Sequence, residues 1–388
     1  MASIPLSVLD LLPRSSGADN ATALRNTIDL AQQAERFGYA RYWFAEHHLN
    51  PGVLGSSPAV EIALVAGATD TIRLGSAGVQ FGHRTPLATV EEFGLIDALY
   101  PGRLDLGIGR SLTRPAPSES ENTSAADAAR RYLADRGRPN RDADSFAPNG
   151  LLLPKPYDIS TVFSRKSFGH ILDLLQQPGA HAPGYDDQIA TLLALLAGTY
   201  VDADGRPAHA SPGEGAAVQV WILGASGGAS AAVAGRRGLR FVASYHHSPS
   251  TVIDAVDAYR AAFVPSAEVP EPYVAVSADV VAAETDEEAA ELASGYAPWV
   301  RSIRRGEGAI AYPTPAEAAA LEWTDDDRDL VSDRVRTQFV GSPTTVADRL
   351  EQLREATGAA EIVLTTSTHD HGARVRSYEL IAKEWAQR

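Results

Sequence analysis

Short apolar runs and longer amphipathic stretches take turns along almost the whole chain. Strand-length runs rich in β-branched and aromatic residues fall at 5–9, 41–45, 72–79, 103–108, 218–223, 239–243, 273–281 and 361–365. Stretches whose apolar positions recur at helical spacing lie between and after them, at 21–37, 57–69, 86–99, 186–197, 228–237, 250–263, 287–304, 344–356 and 374–386. Strand and helix alternating in this way imply parallel strands joined by crossover helices. Eight such units favour an α/β fold of the closed (β/α)8 TIM-barrel type over an open doubly wound sheet.

Two segments break the repeat and read as insertions into a single domain spanning residues 1–388. Residues 112–185, after the fourth strand, are rich in Pro, Ser, Arg and Asp, and from that position would arch over the catalytic mouth as a lid or a substrate wall. Residues 306–338 follow the helix after the seventh strand and carry the run Asp325-Asp326-Asp327, which is expected to be solvated surface.

Composition then removes whole classes of function. The 388 residues include no cysteine, which excludes disulfides, thiolate catalysis, Fe–S clusters and cysteine zinc sites. A formal charge of -15 is a poor match to nucleic acid or to an anionic membrane surface. No uninterrupted apolar run is long enough to span a bilayer, and MASIPLSVLDLLPRSS lacks the basic start and apolar core of a secretory signal, so a cytoplasmic location is expected. An anionic cofactor would have to be held locally, by an arginine or a helix N-terminus.

The richest chemistry lies in RYWFAEHHLN, residues 41–50, where an apolar strand ends in Glu46-His47-His48. The C-terminal edge of a parallel strand is where active sites of such folds are built. Alternation along a strand would send only one of the two histidines into a central cavity. Downstream, Gly224-Ala225-Ser226-Gly227-Gly228 runs straight into a helix, leaving backbone N–H groups open to a phosphate, with the Ser226 hydroxyl beside them. No separate GxGxxG unit with a following acid is evident, so a built-in NAD(P)H site is not supported. Tyr245, His246 and His247 follow the sixth strand and are expected at the same mouth as substrate-pocket residues. His369-Asp370-His371, together with His47, offers one route to a metal-dependent hydrolase, although no convincing third ligand accompanies it and no metal site is assigned.

Four segments in order, WFAEHHLNPGVLGSSP, IRLGSAGVQFGHRTPLATVEEFGLIDALYPGRLDLGIGRS, VWILGASGGASAAVAGRRGLRF and FVGSPTTVADRLEQLREATG, resemble the bacterial luciferase family of flavin-dependent monooxygenases, most nearly its actinobacterial branch that tailors polyketides and other secondary metabolites, including antibiotics. The resemblance implies a luciferase-like TIM barrel that takes reduced FMN from a separate flavin reductase and uses O2 to hydroxylate, epoxidise or Baeyer–Villiger oxidise a small organic substrate. It makes His47 a catalytic base, which an imidazole titrating near neutrality suits, with Glu46 and His48 orienting it. It places Arg110 of GIGR on the FMN phosphate, where a planar guanidinium fits a dianion, and Gly224, Ala225 and Ser226 in the phosphate loop. It also implies a flavin-supporting bulge with a non-prolyl cis bond between Ala77 and Gly78. Gln80, Phe81, His83 and Arg84 depart from the usual residues, marking that side of the pocket, Gln80 and His83 above all, as particular to the substrate. Gly109 stands where luciferase itself has a reactive cysteine, so luminescence is not implied. A homodimer through helices 57–69 and 86–99 is implied as well. The alternatives are a deazaflavin (F420)-dependent oxidoreductase on the same barrel, the metal-dependent hydrolase, and a non-catalytic flavin-binding subunit.

Overall fold

In the computed structural model, which describes residues 4–111, 142–158 and 166–388, every expected barrel strand forms. The strands are β1 (Leu6–Asp10), β2 (Arg41–Phe44), β3 (Arg73–Ser76), β4 (Val79–Gln80), β5 (Leu104–Gly109), β6 (Ser145–Phe146), β7 (Leu152–Leu153), β8 (Gln219–Gly224), β9 (Arg240–Ser244), β10 (Val274–Ala282), β11 (Phe339–Gly341) and β12 (Glu361–Thr365). Parallel pairing runs β1-β2-β3-β5-β8-β9-β10-β12 and returns from β12 to β1, closing an eight-stranded barrel. β4 and β11 extend it at the rim, and β6 and β7 form a separate antiparallel pair.

Register makes the two faces of the wall different. Alternate residues Val8, Tyr42, Leu74, Leu106, Ile222, Phe241, Val276 and Ile362 face outward and pack with the helices in one apolar cluster. Their neighbours Leu9, Trp43, Trp221, Val242, Ala275 and Val363 face inward and form a second cluster. Two indoles of this inner cluster, Trp43 and Trp221, meet edge to face at 5.0 Å. They fit because Gly75, the register partner of Trp43 on the adjacent strand, has no side chain: a Cβ there would come within 2.7 Å of the Trp43 ring.

Below the indoles the barrel is plugged by charge. The Arg41 guanidinium donates to Asp105 at 2.8 Å and to Glu361 at 3.0 Å, and Arg73 donates to Asp105 at 2.8 Å. Trp43 Nε1 donates to Asp105 at 2.9 Å, the Tyr273 hydroxyl to Glu361 at 3.0 Å and the Ser7 hydroxyl to Glu361 at 2.5 Å.

Helix ends follow their caps. Asp19, Thr85 and Ser342 each accept a first-turn N–H, and Gly358 in the left-handed region closes Pro343–Thr357. The helix expected at 287–304 is instead three pieces, Asp286–Leu292, a 3-10 turn Ala293–Gly295 and Tyr296–Arg305, broken where Ser294, Gly295 and Pro298 interrupt the pattern. The acidic run is not merely solvated. It opens helix Asp325–Thr337, where Thr324 and Asp327 form a capping box and buried Asp327 pairs with Arg301 and Arg305. Of the first insertion, residues 112–141 and 159–165, and with them much of the expected lid, lie outside the described residues. No helix among the described residues is long and apolar enough to cross a membrane.

Candidate functional site

Above the indole floor, at the C-terminal ends of the strands, lies a cavity of about 650 Å³. Leu9, Leu11, Trp43, Val242 and Val363 give it an apolar base, and the strand-end loops bring His47, His48, Gln80, His83, Arg110, Ser226 and His246 to its walls.

The Glu46-His47-His48 segment leaves the strand after Phe44, so strict alternation no longer applies and both histidines border the cavity, not one. Glu46 is buried and organises the wall. Its Oε1 accepts from His48 Nε2 at 3.0 Å, His83 Nε2 at 3.0 Å and Arg84 Nε at 2.8 Å, while Oε2 accepts the Gln80 backbone N–H at 2.9 Å. The Gln80 amide in turn donates to the Glu46 carbonyl at 2.6 Å. Burial alone would push the Glu46 carboxyl up, but the His48, His83 and Arg84 donors outweigh it and hold it well below the usual carboxylate range. Thus three residues that sequence singled out for the substrate, Gln80, His83 and Arg84, are also struts of one carboxylate. Phe81 packs in the outer core instead.

His47 has a different environment. Its backbone N–H is fixed to the Gly55 carbonyl at 2.7 Å, but its ring makes no hydrogen bond to a described residue, and the exposed residue borders the cavity. Burial, with His48 alongside, lowers its pKa to about 4 against the partial pull of Glu46. That direction favours the neutral imidazole in the ligand-free protein. His246 is neutral as well: burial first, then Arg334 and His47, lower it to about 3.

On the facing walls the chain is built from small residues. The Ala77–Gly78 bond is cis, and both residues line the cavity. A Cβ on Gly109 would meet nothing nearer than 4.0 Å, so its absence leaves open space beside Arg110. Gly224, Ala225 and Ser226 line the same cavity ahead of helix Ala229–Arg236. The N-cap of that helix is Gly228, which offers no side chain to the first-turn N–H groups. Thr251 pins the loop by donating to the Ala225 carbonyl at 2.5 Å.

One sequence expectation and one of the alternatives find no support here. Tyr245 does not line the cavity; its parity turns it outward, where its hydroxyl donates to the Leu152 carbonyl at 2.8 Å and its ring packs on Phe339. Nor do His369 and His371 join His47: His369 binds the Ser16 carbonyl at 3.0 Å and His371 binds Asp29 at 2.8 Å. Among the described residues, ligand atoms converge within 4.8 Å only at Glu46, His48 and His83. There the Arg84 guanidinium already occupies the carboxylate oxygen and supplies the positive charge a cation would bring. Residues that sequence did not single out include Ser244 and Ser277, which strand parity could have found, and His170, Ile171, Ile303 and Glu307, contributed by or beside the insertions without a local signal.

The sequence profile of luciferase-like monooxygenases matches residues 6–134 and 178–361. The chain belongs to the luciferase-like monooxygenase family. It is similar to protein YvbT of Bacillus subtilis, 34% identical over 383 residues, covering 99% of this chain and 97% of that one. A protein of Escherichia coli K12 named luciferase-like monooxygenase is 31% identical over 377 residues, covering 97% and 96% of the two chains. Among solved structures, apo-MsnO8 superposes with a TM-score of 0.75 at 29% identity, over 99% of this chain and 98% of that one.

Proposed function

We propose that the protein is the oxygenase of a two-component system: it takes reduced FMN from a separate reductase and uses O2 to oxygenate a small organic molecule of secondary-metabolite type. The observation that carries this reading is the pairing of two phosphate-binding devices in one cavity, Arg110 and the uncapped helix N-terminus behind Ser226, over an apolar floor suited to a planar ring. The donor set fits FMN. Arg110, Gly224, Ala225 and Ser226 would hold its phosphate, and the backbone of Ala77 and Gly78 would support its ring. Bound reduced FMN would supply the electrons that activate O2.

The chain's own residues supply the rest. The apolar base excludes water from the reacting atoms. His47, neutral and with no ring partner among the described residues, is placed to take and return a proton at a ring nitrogen. His48 acts through Glu46 as a positioning residue, since its Nε2 is spent on that carboxylate. Gln80, His83 and His246 face the substrate's share of the cavity. The test is a titration with FMN, reduced FMN and F420, followed by exposure of the reduced complex to ¹⁸O2 with a panel of small aromatic compounds, alkenes and ketones. Reduced FMN should bind and label should enter a panel member. Binding of F420 in preference to FMN would replace this reading with the deazaflavin one.

We propose further that two copies associate through helices Pro58–Ala66 and Pro86–Asp97, which pack side by side and leave Val60, Leu64, Leu95 and the adjoining Leu99 exposed. Sedimentation should show a dimer that Leu64→Glu with Leu95→Glu converts to monomer; a monomeric wild-type protein removes the idea.

A further inference from the structure

His246 is held from within the barrel wall. Its Nδ1 lies 2.6 Å from the Ser277 hydroxyl and 3.3 Å from the Ser244 hydroxyl, both inward-facing strand residues. A hydroxyl can donate or accept, whereas each nitrogen of a neutral imidazole does one only. The other acceptor open to Ser277 is the Ala243 carbonyl at 3.4 Å, too distant to compete with a nitrogen at 2.6 Å. The Ser277 proton therefore goes to Nδ1, and the ring's own proton resides on Nε2. Arg334, which donates to the Tyr296 hydroxyl at 2.8 Å, stands behind His246 and opposes a second proton on the ring. Nε2 makes no hydrogen bond with a described residue, and the ring borders the cavity.

We infer that His246 presents a fixed, neutral Nε2–H donor to the carbonyl oxygen of an uncharged, largely apolar substrate. The inference rests on the monooxygenase reading of the cavity and narrows its substrate class to carbonyl compounds. A carbonyl matches the donor because it only accepts. Among the described residues the cation behind His246, Arg334, is already engaged by Tyr296, and Asp279 is buried close to both, which disfavours a carboxylate. A hydrocarbon would leave the N–H unpaired in a dry site, which costs binding. The flavin ring also carries carbonyl oxygens, so the experiment must separate the two sources.

Two measurements on the full chain do so. In protein carrying ¹⁵N-histidine, the imidazole spectrum of His246, assigned by its loss in His246→Phe, should place the proton on Nε2; a proton on Nδ1 overturns the proposal. In the FMN-bound protein, acetophenone should bind about 3- to 10-fold more tightly than ethylbenzene, the range for one neutral hydrogen bond. That preference should vanish in His246→Phe and weaken in Ser277→Ala, which keeps the ring but frees its tautomer. Wild-type protein that binds the two probes equally, or variants that both keep the preference, overturn the proposal. So does an equal loss of FMN affinity in His246→Phe, which would assign the N–H to the flavin. None of these readouts requires turnover, so failure of oxygenation with reduced FMN would be seen separately.

Discussion

The two ends of the barrel use the same kinds of side chain to opposite effect. At the closed end every oxygen of Asp105 and Glu361 is engaged, by Arg41, Arg73, Trp43, Ser7 and Tyr273. At the open end the His47 ring and the His246 Nε2 have no partner among the described residues, and both border the cavity. The contrast therefore separates stability from function: the lower network finishes its own hydrogen bonding, and the upper one leaves it for a ligand to finish.

The largest effect should come from the unpaired end. His47→Asn keeps polarity and approximate size but removes the basic nitrogen, so single-turnover oxygenation with pre-reduced FMN should fall about 10²- to 10⁴-fold. Unfolding by urea should scarcely change. Wild-type turnover in the variant would assign His47 to structure and blur the contrast.

At the paired end the same kind of deletion should do the reverse. Asp105→Ala strands Arg41, Arg73 and the Trp43 N–H, and loss of one member of a buried ionic group costs about 3–5 kcal/mol. Urea unfolding should register that loss while FMN affinity of the remaining folded protein stays near wild type. A loss below about 1 kcal/mol would show that solvent already satisfies the plug.

Arg110→Ala sharpens the comparison within the mouth, because it removes binding rather than proton transfer. A charge-assisted hydrogen bond is worth about 1.5–3 kcal/mol, so the FMN dissociation constant should rise about 10- to 150-fold. Unchanged affinity would move the phosphate elsewhere.

A pH-dependent effect concerns Glu61, which accepts the Ser56 and Ser57 N–H groups at 2.8 and 3.0 Å and so ties down the loop after the His pair. Burial, only partly offset by those N–H groups, raises its pKa to about 7 from an ordinary 4.5. A raised carboxyl binds its proton more tightly in the folded state. Its contribution to stability is thus full below about pH 4.5, declines as pH climbs, and is gone above about 7. Glu61→Gln mimics the protonated form, so the stability difference between variant and wild type should grow in favour of the variant across that window. A difference that is flat with pH would return Glu61 to an ordinary carboxyl.

Much of this architecture was legible in the residues. Runs such as Tyr42-Trp43-Phe44 are buried on both faces, as parallel-barrel strands are, and the glycine-bounded turns mark their ends. Glu46-His47-His48, Arg110 and Gly224-Ala225-Ser226 could be placed at one mouth because strand ends are fixed by topology. Tyr245 could not, because one residue past a strand is enough to reverse the face, and parity there favours its neighbour His246. The partnership of Glu46 with His83 and Arg84 was equally hidden: it spans 37 and 38 residues, and nothing local in either segment encodes it. The break at Gly295 and the capping role of Asp327 were readable in principle, from Pro298 and from Thr324 three residues earlier.

The indole floor gives the protein a built-in optical reporter. Trp43 and Trp221, two of the five tryptophans, lie directly beneath the cavity, and Trp43 lines it. Indole emission overlaps flavin absorption, so a flavin seated above them drains their excited state at contact range. Occupancy can then be followed from the protein's own light, in both equilibrium titration and rapid mixing, with no label attached to the chain.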